Sequence, residues 1–337
     1  MKVSINEATQ KVTEYLLATG LGEDDTRTLT DLIIEQQIIG NQFSAIGELA
    51  GKHQRLVSAV AQAGAEIVMQ KPSAMLIKGN GRAAPLITAD NLSMVVKAAK
   101  RQGIFALGIY DASYNDFFDV FCRRVAAQDC IALIFENGGP QGVLPYGALK
   151  DDITGTNPLA YGIPTNTDPI IFDAATAEHA YGRIRVAKER GEQLPNNAYV
   201  DKDGSITTRP HDAYAILPFG GYKGWAINLL VDVLSGALVQ AKSGLDLPLD
   251  DPDRHIGTFM IVIDPACFGE IIDFKKAVSK LVSDITAVQP RDPKKPVRTP
   301  GTKGSERLRQ AKLSNMIEID QYDWEKFLTA YRKGVTK

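Results

Sequence analysis

The chain has 337 residues, with 38 basic against 40 acidic side chains and a formal net charge of −2, which leaves no basic footprint for nucleic acid or for an anionic membrane. Its length suffices for two or three domains with sizeable cores, and small-molecule partners are expected. The opening MKVSINEATQKVTEYL lacks the basic and apolar regions of a secretory signal, and no apolar run approaches the roughly 20 residues that span a bilayer, so a cytoplasmic address is expected.

Ser4-Ile5-Asn6-Glu7 reads as a capping box ahead of a helix to about Ala18, and Asp24 or Asp25 is placed to cap a second helix running to about Ile39. Helical periodicity continues from about Ile46 to Ala63, giving an N-terminal helical unit over 1–68. Short β-rich runs then alternate with helical stretches: Ala74–Ile77, a helix from about Ala89 to Gln102, Phe105–Tyr110, a helix near Phe117 to Gln128, and Ile131–Phe135. That alternation predicts an α/β core over 69–287. From Asn137 to Thr167 the Gly and Pro residues are too dense for regular structure, and long ordered loops usually carry function. A Pro-rich stretch with Lys294, Lys295, Arg298 and Lys303 opens the C-terminal segment, 288–337, which ends in a helix. The stretch reads either as a basic lid or as a solvated linker.

Chemistry is signalled sparsely. Cys122, Cys130 and Cys267 have no metal-ligand spacing, and His53, His179, His211 and His255 form no HxxxH or HExxH pair, so no metal site is expected. No strand is followed by GxGxxG opening a helix, which disfavours a Rossmann dinucleotide site. The most informative feature is LPFGGYKG (Leu217–Gly224), a glycine turn feeding the apolar run that starts at Trp225. It reads as a phosphate-holding helix start with Lys223 adding charge, or as a plain tight turn before a core helix.

Five segments, in order, resemble the type-2 malate/L-lactate dehydrogenase family, whose relatives include sulfolactate, ureidoglycolate and diketogulonate oxidoreductases and the piperideine/pyrroline-carboxylate reductases. They are GTNPLAYGIP (155–164), IIFDAATAEHAYGRI (170–184), GEQLPNNAYVDKDGSITTRP (191–210), LPFGGYKG and IGTFMIVIDPACF (256–268). The resemblance implies a non-Rossmann, sulfolactate-dehydrogenase-like α/β fold with a mixed sheet, an N-terminal helical unit and a C-terminal segment. It also implies an NAD or NADP cofactor and a homodimer with active sites near the subunit interface. The family's cofactor segments fall on Asp173, Ala175, Thr176 and His179, on Tyr222-Lys223-Gly224, and on Pro300-Gly301, where Thr302 replaces the family's acid. Asn137, Thr156 and Asn157 fall on pocket-lining positions. Asn amides and the Thr176 hydroxyl suit a ribose and a nicotinamide carboxamide, which need paired donors and acceptors. Asp173 reads as a catalytic orienting group or as a helix N-cap.

The substrate half departs from the family. Its Ser-His-Gly falls on Phe43-Ser44-Ala45 and its substrate-carboxylate Arg on Glu48, while its Asn-Ser-His-His-Phe-Gly falls on Asp111–Asp116. The proton-carrying imidazole and the anion anchor are both replaced, leaving Ser44, Glu48, Tyr114 and Asp173 as the catalytic candidates. Reduction of a ketone needs a positioned acid, worth about 10²–10⁴-fold, whereas a protonated imine brings its own proton. A carboxylate favours an iminium and repels a substrate carboxylate. The expected activity is hydride transfer to C2 of a small 2-oxo acid or the corresponding cyclic imine. The alternatives are an ordinary malate/lactate-type 2-hydroxy acid dehydrogenase and a cofactor-binding protein without catalysis.

Overall fold

A computed structural model describes residues 1–40, 45–49, 64–139, 142–247 and 255–335. Its centre is a seven-stranded mixed sheet. The strands are β2 (Glu66–Lys71), β3 (Ala74–Lys78), β4 (Ile104–Ala112), β5 (Ile131–Glu136), β6 (Leu159–Ile163), β7 (Ile170–Ala174) and β10 (Ile256–Ile263). They lie in the order β2-β3-β4-β10-β5-β6-β7. Only β3 and β4 run parallel, because the helix between them, α3 (Ala84–Gln102), returns the chain to the same end; every other pairing is antiparallel. Strand β10 enters from far along the chain between β4 and β5, with Met260 opposite both Leu107 and Ile134.

One face of the sheet is covered by α3 and by α4 (Phe118–Ala126), and Phe121, Val125, Val95 and Val96 bury against Leu107, Ile109, Ile134 and Val262. Helices α1 (Ile5–Ala18) and α2 (Glu23–Ile39) extend the same core through Leu16, Leu29, Leu32 and Ile33. So does the chain's far end: α8 (Thr302–Ser314) packs on α2, and Trp324 and Phe327 of α9 (Gln321–Val335) are buried in the same cluster. Strand β1 (Lys2–Ser4) pairs antiparallel with β11 (Met316–Glu318) and joins the two termini. Full burial of each large side chain contributes about 1.5–3 kcal/mol, so the N-terminal and C-terminal segments are held together mainly by this shared apolar surface.

A smaller lobe holds α5 (Gly182–Arg190) and the two-residue strands β8 (Tyr199–Val200) and β9 (Ala215–Ile216) around Val143, Ile184, Leu194 and Tyr199. Helix α6 (Tyr222–Ser235) follows, with Leu229, Leu230 and Val233 about half exposed. Helix α7 (Ile271–Thr286) has no buried residue and touches the loops after α4 and β6 through Lys275 and Ser279.

Ser4 caps α1 as the pattern predicts, its hydroxyl accepting from the Glu7 amide at 3.1 Å. The cap of α2 is different: Gly22 holds the N-cap position, and Asp25 instead pairs with Arg82 at 2.9 Å. The helix expected from Ala89 starts at Ala84. Within the stretch expected to be irregular, residues 159–163 form β6, because Gly162 lets the strand approach α4. A Cβ there would lie 2.6 Å from the Cys122 carbonyl oxygen. The helical periodicity over 46–63 falls mostly outside the described residues, as do Ser44 and His53, and its described part is a helical turn over 46–49.

Candidate active site

Strands β5 and β7 end beside the start of α4, and the chain at 298–304 closes over that junction. Together they enclose a cavity of about 590 Å³. Its wall brings together Tyr114, Thr156, Asp173, Ala175 and Gly301 of the residues expected from the sequence, and adds Asp116, Asp119, Arg123, Glu136, Arg298 and Lys303. Ala174, Gly304 and Gly40 keep other parts of the wall free of bulky side chains.

The outer edge of β7 carries Pro300 and Gly301. The Ile171 amide donates to the Pro300 carbonyl at 3.2 Å, and Gly301 follows at φ 86°, a left-handed conformation where a Cβ would sit 2.8 Å from that of Ile171. Arg123 locks this edge to α4: its guanidinium pairs with Asp119, donates to the Ser305 hydroxyl at 2.8 Å and to the Gly301 carbonyl at 3.2 Å.

Asp173 is a strand residue and caps no helix of its own. It opens partly to the cavity while its carboxyl is surrounded by protein, and burial pushes its pKa up to about 7. The negative charges of Asp119 and Asp116 act in the same direction, against a hydrogen bond from the Asp119 backbone amide that favours the carboxylate. Burial also raises Asp119, with Arg123 opposing it. Glu136, 1% exposed, accepts from the Asn115 amide and the Thr258 hydroxyl, both at 3.0 Å. The Tyr114 hydroxyl donates to the Gly138 carbonyl at 2.7 Å.

Other expected residues sit behind this wall with their side chains engaged inside the protein. Asn157 accepts from the Gly138 amide at 2.9 Å and donates to the Asn228 carbonyl at 3.1 Å; Asn228 in turn donates to the Thr176 hydroxyl at 2.9 Å. Asn137 accepts from Gly257 and donates to the Lys242 carbonyl. His179 stacks on Tyr199 with ring centres 6.0 Å apart, and burial lowers its pKa. The 217–224 turn packs against residues 176–178, one step along the chain from the cavity wall, with the Gly220 amide donating to the Glu178 carboxylate at 3.1 Å. Tyr222 and Lys223 are exposed at the start of α6, Tyr222 meeting Tyr146 edge to face, and Gly224 is buried where a Cβ would strike the Phe219 carbonyl.

Glu48 does not line the cavity; it forms an ion pair with Arg185 of α5. Sequence reasoning missed Asp119, Arg123, Glu136 and Arg185 as site or near-site groups. The available signal was the Asp119–Arg123 spacing of four inside the apolar pattern Phe118-Val120-Phe121-Cys122-Val125, which marks a buried pair rather than a surface one.

The family description malate/L-lactate dehydrogenase matches residues 3–328. The chain belongs to this family. With the family comes the class of chemistry, NAD(P)-dependent oxidoreduction. The chain is 29% identical over 328 residues to the malate/(S)-sulfolactate dehydrogenase of Methanothermus fervidus, covering 95% of this chain and 94% of that one. It is also 29% identical over 278 residues to the delta(1)-pyrroline-2-carboxylate reductase of Ancylobacter novellus, covering 80% and 81%. The fold is that of sulfolactate dehydrogenase from Methanocaldococcus jannaschii, with a TM-score of 0.86 and 24% identity over 99% of this chain and 97% of that one. This agrees with the non-Rossmann mixed α/β fold expected from the sequence. Among the described residues no group of His, Cys, Asp and Glu is arranged to hold a metal ion, and no helix is long and apolar enough to cross a membrane.

Proposed function

We propose that the cavity beside Asp173 binds a nicotinamide dinucleotide and a small 2-imino acid, and that the enzyme delivers hydride to C2 of the imine to give an amino acid. The observation that carries this reading is the neutral-range carboxyl of Asp173 among Asp116, Asp119 and Glu136, in a cavity whose only well-buried guanidinium among the described lining residues, Arg123, is already paired. An acid with a pKa of about 7 protonates an imine nitrogen at neutral pH, and the carboxylate left behind balances the iminium charge. The nearby acids oppose a simple dianionic substrate.

The wall suits the cofactor. Small residues at 174, 175, 301 and 304 leave room for a flat ring and sugar, and Arg298 and Lys303 supply donors for phosphate oxygens. When bound, the nicotinamide supplies the hydride. Thr156, Ala175 and Gly301 would hold it, with Asn137, Asn157, Thr176 and His179 fixing the wall from behind and Tyr222, Lys223 and Gly224 contributing from the adjoining turn. Gly40, at the end of α2, lines the cavity, and Glu48, paired with Arg185 outside it, would bear on the substrate side only by holding its own segment in place. One reading competes: a carboxylate of this pKa takes the proton of a 2-hydroxy acid as readily as it gives one to an imine, which would retain malate/lactate-type chemistry.

The exposed stripe of Leu229, Leu230 and Val233 on α6, next to exposed Tyr222 and Leu238, supports a homodimer formed through this face. A cytoplasmic location fits the same assignment. Turnover against a panel of cyclic imino acids, pyruvate and oxaloacetate tests the substrate reading. The expected result is kcat/KM for an imino acid at least about 10-fold above either keto acid; the reverse order would establish the hydroxy-acid reading.

A further inference from the structure

We propose that the preferred cofactor is the 2′-phosphorylated dinucleotide, NADP rather than NAD, and that Arg298 and Lys303 select it. The inference rests on the cavity being the cofactor site, as argued above.

The charges lining the cavity are segregated. Asp116, Asp119 and Asp173 lie together on the α4 and β7 side, whereas Arg298, Thr302 and Lys303 come from the segment that closes over it. Of the three cations in the wall, Arg123 is consumed by Asp119, Ser305 and the Gly301 carbonyl. Arg298 has only a loose contact with Glu306, at 3.8 Å, and Lys303 is exposed with no carboxylate partner among the described residues. Two cations therefore face the cavity with their charge uncommitted or nearly so. Between them in sequence, Thr302 offers no charge, and its hydroxyl donates to the Thr299 carbonyl at 2.8 Å.

A ribose 2′-hydroxyl is best met by a carboxylate acceptor, which at the same time repels a 2′-phosphate; a 2′-phosphate is best met by Arg and Lys. This closing segment lacks the first arrangement at 302 and has the second at 298 and 303. The doubly charged monoester phosphate is the one group that NADP has and NAD lacks, and a guanidinium and an ammonium on one short segment are the side chains that meet it best.

The test is made on the apoprotein by calorimetry, with NADPH, NADH, 2′,5′-ADP and 5′-AMP as titrants. Wild type should bind NADPH about 10- to 100-fold more tightly than NADH, and 2′,5′-ADP more tightly than 5′-AMP by a similar factor. The Arg298→Ala/Lys303→Ala double variant should lose that difference by weakening NADPH at least about 10-fold more than it weakens NADH. Thr302→Glu should move the preference toward NADH. Equal affinity of wild type for the two dinucleotides, or a double variant that weakens both alike, would overturn this inference and leave the cavity assignment standing. Failure of both dinucleotides to bind wild type would remove the cavity assignment and this inference with it. The comparison of 2′,5′-ADP with 5′-AMP on wild type needs no substitution and so holds even where a variant folds poorly.

Discussion

Glu48 and Arg185, 137 positions apart, form an ion pair that ties the helical turn after α2 to helix α5 of the smaller lobe. Arg185 also reaches Glu189 at 3.0 Å, which Lys326 of α9 contacts at 3.0 Å, and Arg190 contacts Asp320 and Asp323. The carboxylate expected from the sequence to stand in for the family's arginine thus has a cation of its own, and its charge is largely spent outside the cavity.

Reversing that charge tests the pairing. Glu48→Arg sets two guanidinium groups against each other and should lower the melting temperature without creating a tight site for pyruvate. Glu48→Arg combined with Arg185→Glu should restore stability. With Arg185 39% exposed, the single loss is worth about 1 kcal/mol and should shrink in high salt. A thermal-shift series in both salt regimes reads this directly. Full additivity of the two substitutions would show that the pair is not coupled.

Asp173 makes stability depend on pH in a stated direction. Its folded pKa, about 7, lies above the value of about 3.9 expected for an unfolded chain, so the native state holds the extra proton between them. Apoprotein stability should therefore fall as pH rises from about 4 to 7, by at most about 4 kcal/mol from this group. Asp173→Asn should be more stable than wild type above pH 7, with the difference vanishing below about pH 4, while turnover is lost throughout. Denaturant titrations across that range measure it, and a variant equally stable at every pH would place the raised pKa elsewhere.

The Asn157, Asn228 and Thr176 network should prove structural when truncated. Asn157 is 0% exposed, and Asn157→Ala leaves the Gly138 amide without its acceptor and removes one of the donors to Asn228. A cost of about 2–4 kcal/mol is expected, visible as a lower urea midpoint with an unchanged slope. Dinucleotide affinity of the fraction that stays folded should change little.

On α6, Leu230→Glu places a charge in the exposed apolar stripe. Light scattering should report about twice 36.6 kDa for wild type and a shift toward 36.6 kDa for the variant. A wild-type particle of single-chain mass at micromolar concentration would rule out the dimer.

The alternating runs made β3, β4, β5, α3 and α4 legible, because each is a local pattern of apolar residues. The position of β10 was not, since pairing with both β4 and β5 depends on register between segments more than 100 residues apart. Strand β6 was hidden by Gly162 and its flanking prolines, whose reason is close contact with the Cys122 backbone. At the site, Thr156, Asp173, Ala175 and Gly301 were reachable through family segments. Asp119 and Arg123 were not, because their importance comes from being buried against a strand and a turn supplied by distant sequence. Asn157 and Thr176, expected to line the pocket, lie behind its wall with their polar atoms engaged by Asn228, which a composition of suitable donors cannot reveal.

The single backbone bond from Ile171 to Pro300 closes the free side of the sheet with chain made some 130 residues later. During synthesis, β7 therefore emerges as an unpaired border, and the enclosure around Asp173 has no roof until the C-terminal segment arrives and Arg123 finds Gly301 and Ser305. A ligand that needs this enclosure would find it only once the C-terminal segment has docked. A chain stopped before Pro300 would keep most of its apolar core yet present an open strand to its neighbours, so the same short contact that roofs the cavity also guards the protein against self-association.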